Sequence, residues 1–202
     1  MTVGLFGGTF APFHRGHRAA LESFLREVKP DRCIVMPSGI PPHKIKTTLF
    51  TDRQRLETAR LGCEGLKGVT VSDWEIKKEG RSYTAETLRW LNETYPDHRA
   101  VLYVGSDMFL TLHQWYRPEE IFRRAKIAAF SRTGTDLEQL NAHAAWLATQ
   151  YPHVDCTVYT APPFPVSSTE IRELWCAGGD VSHLVSPKVA DYLTELREGG
   201  AE

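Results

Sequence analysis

Val3-Gly4-Leu5-Phe6-Gly7-Gly8-Thr9-Phe10-Ala11-Pro12-Phe13-His14-Arg15-Gly16-His17 lies at the start of the chain and carries its most informative pattern. Val3 to Phe6 is a short apolar run ending at a glycine pair, the pattern of a buried strand that delivers the chain into a tight loop. After the loop, Leu21, Phe24, Leu25 and Val28 recur at helical spacing until Pro30 interrupts them, so a helix is expected from His17 to Val28. Strand, glycine loop and helix in that order form the opening unit of a parallel α/β sheet.

The same stretch has the makings of a phosphate cradle. Gly7 and Gly8 let backbone N–H groups approach an anion, with Thr9 and Phe10 continuing the loop. His14 and His17 are three residues apart around Gly16, so at a helix start they share a face and both can donate from imidazole. The helix start adds unpaired N–H groups and roughly half a positive charge. Neither GxxxxGK[ST] nor GxGxxG is present. Zinc ligation by the two histidines would call for HExxH or a nearby third ligand, and neither stands out. The bland alternative is a plain turn followed by exposed helix residues.

Further along the chain, Cys33 to Met36, Val69 to Val71, Val101 to Val104, Ile127 to Phe130 and Thr157 to Thr160 read as strands. Between them, helices are expected after Thr51, from Thr84 to Tyr95, from Pro118, and more weakly after Asp136. This alternation favours a Rossmann-like, doubly wound parallel sheet with helices on both faces, whose strand carboxyl ends carry the site. The 202 residues contain no linker-like stretch or internal repeat, so residues 1–202 are expected to form a single domain.

Composition narrows the function classes. Lys plus Arg total 24 against 25 Asp plus Glu, a formal net charge of −1, so there is no global attraction to nucleic acid and any polyanion site must be local. A hydrophobic fraction of 42% suits a globular core. No secretory signal or membrane-spanning run is visible, which makes the cytoplasm the expected location. The four cysteines are far apart and include no CxxC pair, arguing against a zinc ribbon or a disulfide framework.

Three other segments carry chemistry. Ser167, Ser168 and Thr169 precede an apolar helical pattern at Ile171, Leu174 and Trp175, which reads as a second helix start facing an anion. Arg172 is expected in that helix's first turn, where a cation opposes the helix dipole; an external anion would compensate, and pairing with Glu173 is the alternative. Gly105-Ser106-Asp107 follows a strand, and Asp107 suits ribose hydroxyls or a Mg²⁺-bound water, or simply a helix cap. Lys44 follows Pro41-Pro42-His43 in a stiff loop, where it could reach a phosphate or merely be solvated.

Together these segments resemble the HxGH nucleotidyltransferases. Gly7 to His17 is similar to the GxFxPxHxGH signature, and Pro41 to Lys44, Gly105 to Asp107 and Ser167 to Arg172 follow in the order of the nicotinate mononucleotide adenylyltransferases. The resemblance implies a Rossmann-like sheet, the use of ATP with Mg²⁺ bound through phosphates rather than by protein ligands, and nicotinic acid mononucleotide as acceptor. It also implies ATP contacts from Gly7, Gly8, Thr9, Phe10, Gly16, Gly105, Asp107, Ser168 and Thr169, with His14, His17, Lys44 and Arg172 carrying the catalytic charge.

Trp115, before Tyr116-Arg117-Pro118, could stack on a pyridine ring or belong to the core. The resemblance implies the stacking role, with amides near Tyr116 and Thr84 receiving the carboxylate. Ser82-Tyr83-Thr84 opens a helix whose amides suit a carboxylate better than a carboxamide, which favours nicotinate over nicotinamide. One departure stands out: Ala11 occupies the place where the signature usually has Asp. Phosphopantetheine or cytidylyl transfer, and a regulator that has lost catalysis, are the competing readings. Segments near Glu138 to Ala148 and at the C-terminus could supply a homo-oligomer interface. His43, His98, His113, His143, His153 and His183 receive no role.

Overall fold

A computed structural model describes residues 1–39, 49–131, 136–162 and 165–199. Six strands, β1 (Thr2–Gly8), β2 (Arg32–Pro37), β3 (Val69–Val71), β4 (Arg99–Gly105), β5 (Ala125–Ser131) and β6 (Cys156–Thr160), form one sheet in the order β3-β2-β1-β4-β5-β6. Every pairing is parallel. The order runs outward in both directions from β1 and β4, which pair through Gly4 with Val101 and Leu5 with Leu102. This is the doubly wound arrangement expected from the sequence, and it leaves a crevice beyond the carboxyl ends of β1 and β4.

The helices are α1 (Arg15–Val28), α2 (Asp52–Cys63), α3 (Trp74–Lys77), α4 (Thr84–Thr94), α5 (Ser106–Leu110), α6 (Pro118–Arg124), α7 (Leu137–Gln150), α8 (Ser168–Cys176) and α9 (Pro187–Glu198). Their ends have local causes. Thr51 caps α2 through a reciprocal pair with Gln54, each side chain accepting from the other's backbone N–H. At the end of α1, Lys29 turns left-handed at φ 50° and returns its N–H to Leu25 before Pro30 prevents continuation.

Side-chain alternation along the strands sorts residues between the two faces of the sheet. Val3, Leu5, Ile34, Met36, Leu102 and Ile127 join one buried cluster with Leu88 and Leu91 of α4 and Leu140 and Leu147 of α7. Phe6, Cys33, Val35, Val101 and Phe130 join the other, with Leu21 and Phe24 of α1. A third cluster lies away from the sheet: Ala11 and Phe50 pack with Ile171 of α8 and Val181, Val185, Val189 and Leu193 in and before α9. It seats the last two helices against the loop after β1.

All six expected strands are present. Three details differ from the sequence reading. Helix α1 starts at Arg15, with His14 as its cap rather than a member of its face. Helix α5 begins directly at Ser106, so Ser106 and Asp107 form a helical turn and not a loop. Helix α8 starts at Ser168, which puts Arg172 in its second turn rather than its first and weakens the argument from the dipole.

Candidate active site

His14 and His17 close the start of α1 reciprocally. His17 N–H donates to His14 Nδ1 at 3.2 Å, and His14 N–H donates to His17 Nδ1 at 3.3 Å. The rings stack with centroids 3.6 Å apart. Because both Nδ1 atoms accept, the hydrogen-bond pattern assigns the ring proton to Nε2 in each, making that edge a donor. Phe10 and Phe13 hold the His17 ring from two sides, at 5.0 and 5.4 Å.

The loop is shaped by its own packing. Phe10 sits at φ 49°, a left-handed conformation uncommon for an aromatic residue. Its buried ring folds back so that a Cβ on Gly8 would lie 2.5 Å from it. A Cβ on Gly7 would meet nothing nearer than 4.0 Å among the described residues.

The start of α8 meets this loop directly. Arg172 donates from Nη1 to the Ala11 carbonyl and from Nη2 to Thr169 Oγ1, both at 2.9 Å. Ser168 Oγ donates to the Pro12 carbonyl at 3.4 Å, and Val166 is so near that a Cβ on Gly16 would lie 2.9 Å from its Cγ1. Two helix starts, α1 and α8, therefore converge on one loop, bringing His14, His17, Ser168, Thr169 and Arg172 together. Arg172 pairs with neither Glu173 nor any other carboxylate among the described residues. Its partners among the described residues are a carbonyl and a hydroxyl.

At the neighbouring strand, Ser106 Oγ donates to the Phe130 carbonyl at 3.1 Å, fixing the turn after Gly105 to β5. Asp107 is exposed in the first turn of α5, on the same edge of the sheet as the loop after β1.

A second group of expected residues gathers at the start of α4. Tyr83, the cap of α4 just before Thr84, lies against Tyr116 with ring centroids 4.4 Å apart, and Arg117 covers the Tyr116 ring at 5.0 Å. Trp115 is half-buried against the main core cluster, so it is partly a core residue and still has exposed surface. Lys44, His43 and the two prolines before them lie outside the described residues.

Two participants were missed by sequence reasoning. Arg55, 1% exposed, donates to the Thr9 and Ser38 carbonyls at 2.6 Å each and to Asp52 at 2.9 Å. Glu75 is buried and accepts from Thr87 Oγ1 at 2.6 Å; burial pushes its carboxyl above the usual range, opposed by hydrogen bonds from Thr87 and Ser82 and by Lys78. Nothing in a single sequence marks either residue, since Arg on α2 and Glu on a four-residue helix both read as solvated.

A parallel sheet whose strand order reverses beside a loop gripped by two helix starts defines a nucleotide-binding α/β protein. Comparison with known proteins narrows this. The cytidylyltransferase-like family model matches residues 5–174. A probable nicotinate-nucleotide adenylyltransferase of Clostridium tetani is 32% identical over 189 residues, 94% of each chain. One from Synechococcus sp. (strain JA-3-3Ab) is 34% identical over 197 residues, 96% of this chain and 93% of the relative. Among solved structures, Plasmodium falciparum nicotinic acid mononucleotide adenylyltransferase complexed with NaAD shares the fold at a TM-score of 0.76. It is 16% identical, covering 100% of this chain and 99% of that one. The chain belongs to the cytidylyltransferase-like family and, within it, to the nicotinate-nucleotide adenylyltransferases.

Proposed function

We propose that this chain transfers the adenylyl group of ATP to nicotinic acid mononucleotide, giving nicotinic acid adenine dinucleotide and pyrophosphate. The observation that carries the reading is the meeting of the α1 and α8 starts over the loop after β1, where Arg172 and Ser168 bond to the Ala11 and Pro12 carbonyls. That meeting gathers imidazole, guanidinium and hydroxyl groups at one loop.

The chemistry requires little proton management. The acceptor phosphate has a second pKa near 6 and is mostly a dianion at neutral pH, so no general base is required. The protein's task is alignment and stabilisation of charge moving onto pyrophosphate. His14 and His17 donate from Nε2, and Arg172 adds a fixed positive charge, with Ser168 and Thr169 supplying hydroxyls. Gly7, Gly8, Thr9, Phe10 and Gly16 shape the backbone under the triphosphate, while Gly105 at the end of β4 and Asp107 in the first turn of α5 serve the nucleoside side. Lys44 joins the charge set on the strength of the resemblance.

Mg²⁺ fits this donor set as a phosphate-bound ion: Asp107 offers a carboxylate to its hydration shell, and once bound it would neutralise the triphosphate. The arrangement needs no protein cluster of metal ligands, and no group of three candidate ligands occurs among the described residues.

On the acceptor side, α4 begins without a side-chain cap, so its first amides suit the nicotinate carboxylate, with Trp115 as the stacking face and Tyr116 beside it. Ala11, where the resembled signature has Asp, is 2% exposed and packed in the third cluster while its carbonyl takes Arg172. Main-chain bonding and apolar packing thus do the orienting that a carboxylate would otherwise provide. A cytoplasmic location is part of this proposal, by the nature of the substrates; no described helix is long and apolar enough to cross a membrane.

The test is pyrophosphate release from ATP and Mg²⁺ by purified protein, with nicotinic acid mononucleotide, nicotinamide mononucleotide and phosphopantetheine as acceptors. Nicotinic acid mononucleotide should give the highest kcat/KM. A higher value for nicotinamide mononucleotide overturns the acceptor assignment, and ATP binding without turnover of any acceptor identifies a regulator instead.

A further inference from the structure

Arg55 is the largest fully buried side chain, yet two of its three partners are neutral carbonyls and its carboxylate partner, Asp52, is partly exposed. A buried guanidinium partnered in this way is a poor device for stability, because an apolar residue of similar volume avoids the desolvation cost. The location of the two carbonyls gives it a purpose: Thr9 directly follows β1 and Ser38 directly follows β2, both at the carboxyl edge of the sheet.

A trans peptide points its C=O and the following N–H to opposite sides. With the Thr9 carbonyl drawn to Arg55, the Phe10 N–H is turned to the opposite side, which on the proposed function is the side of the phosphates. The second carbonyl acts the same way: with the Ser38 carbonyl drawn to Arg55, the Gly39 N–H points the other way and donates to Ser82 Oγ at 3.1 Å. Ser82 leads into the start of α4, where the acceptor carboxylate is placed.

We propose that Arg55 is a positioning residue that couples the two substrate sites, setting the Phe10 amide for ATP phosphates and, through Gly39 and Ser82, the start of α4 for the acceptor. The assignment rests on the adenylyltransferase reading for the identity of the ligands. Arg55 touches neither substrate. Lysine in its place keeps the charge but, lacking the planar fork, cannot hold both carbonyls in one geometry.

The experiment measures, by calorimetry, Kd for ATP with Mg²⁺ and for nicotinic acid mononucleotide, separately, in wild type, Arg55→Lys, Ser82→Ala and Thr51→Ala. Arg55→Lys should weaken both ligands by on the order of tenfold. Ser82→Ala should weaken the mononucleotide alone. Thr51→Ala removes the cap of the same helix and serves as the stability control, leaving both affinities at wild-type values. If Thr51→Ala weakens binding as Arg55→Lys does, or if Arg55→Lys binds both ligands normally, the proposal is overturned. Should Arg55→Lys fail to fold, Ser82→Ala still decides the Gly39 relay: unchanged mononucleotide affinity removes it. Because binding is read for each ligand, wild type that binds ATP but not the mononucleotide sinks the acceptor assignment and leaves the Thr9 arm of the proposal measurable.

Discussion

His17 does two jobs that mutagenesis can separate. Its Nδ1 accepts from the His14 backbone, and on the proposed function its Nε2 donates to the phosphates. Replacing it with alanine should lower kcat by on the order of 10²-fold, the size of effect seen when a transition-state donor is lost. The missing capping bond costs about 1 kcal/mol of stability, so rates belong well below the melting temperature. Near wild-type turnover would remove His17 from the mechanism. The cysteines offer an independent residue-scale check on burial. Burial is the main reason the Cys33, Cys63 and Cys156 thiols are pushed up to about 12, while Cys176 is exposed. Since the thiolate is the reactive form, iodoacetamide should alkylate Cys176 first in the native protein. Equal early labelling of Cys33, read by peptide mass spectrometry, contradicts the packing described.

Among the elements, the junction of α3 and α4 carries a pH signature. Glu75 is buried there against Thr87, and burial raises its carboxyl pKa in the folded state. A raised folded value means that its contribution to stability is complete below the unfolded pKa and is lost as pH rises through the folded one. Glu75→Gln cannot ionise. Urea unfolding should therefore show the stability of wild type relative to Glu75→Gln declining as pH rises above the ordinary glutamate value of about 4; a constant difference would show that Glu75 is solvated.

Strands β1, β2, β4 and β5 were legible because buried strands read as short apolar runs, and the partly exposed β3 and β6 through their β-branched and aromatic residues; α2 was legible from its cap, and α1 and α4 from helical spacing ended by a proline. Helices α3 and α5 were not, being only 4 and 5 residues long, too short for a period to show. Arg55 was hidden for another reason. Its partners lie 46 and 17 residues away at the ends of two other strands, so its burial is decided by the sheet and not by α2. The sequence named His14, His17, Ser168, Thr169 and Arg172, which meet at the starts of α1 and α8, but the capping role of His14 and the displacement of Arg172 into the second turn depend on where each helix begins.

In the whole molecule, the proposed ligand site lies where two packing units meet. The loop after β1 extends the sheet, and its Ala11 also packs in the third cluster with Ile171 of α8, Val185 and Val189. On the proposed function, a triphosphate held there reinforces that join. ATP with Mg²⁺ at about 100 times its Kd should therefore add about 2.7 kcal/mol to unfolding. For a chain of this size that corresponds to a rise in melting temperature of roughly 5–10 °C, readable by calorimetry. Absence of any ATP-dependent shift would mean that the cradle does not hold the nucleotide.

The Arg172 to Ala11 bond spans 161 positions of sequence. The loop and the guanidinium that grips it are thus joined across most of the sheet's connections, with β2 to β6 all lying between them in sequence. A fragment cut after β6 keeps the six strands but loses α8 and its clamp, so on the proposed function it should bind ATP more weakly than the intact chain.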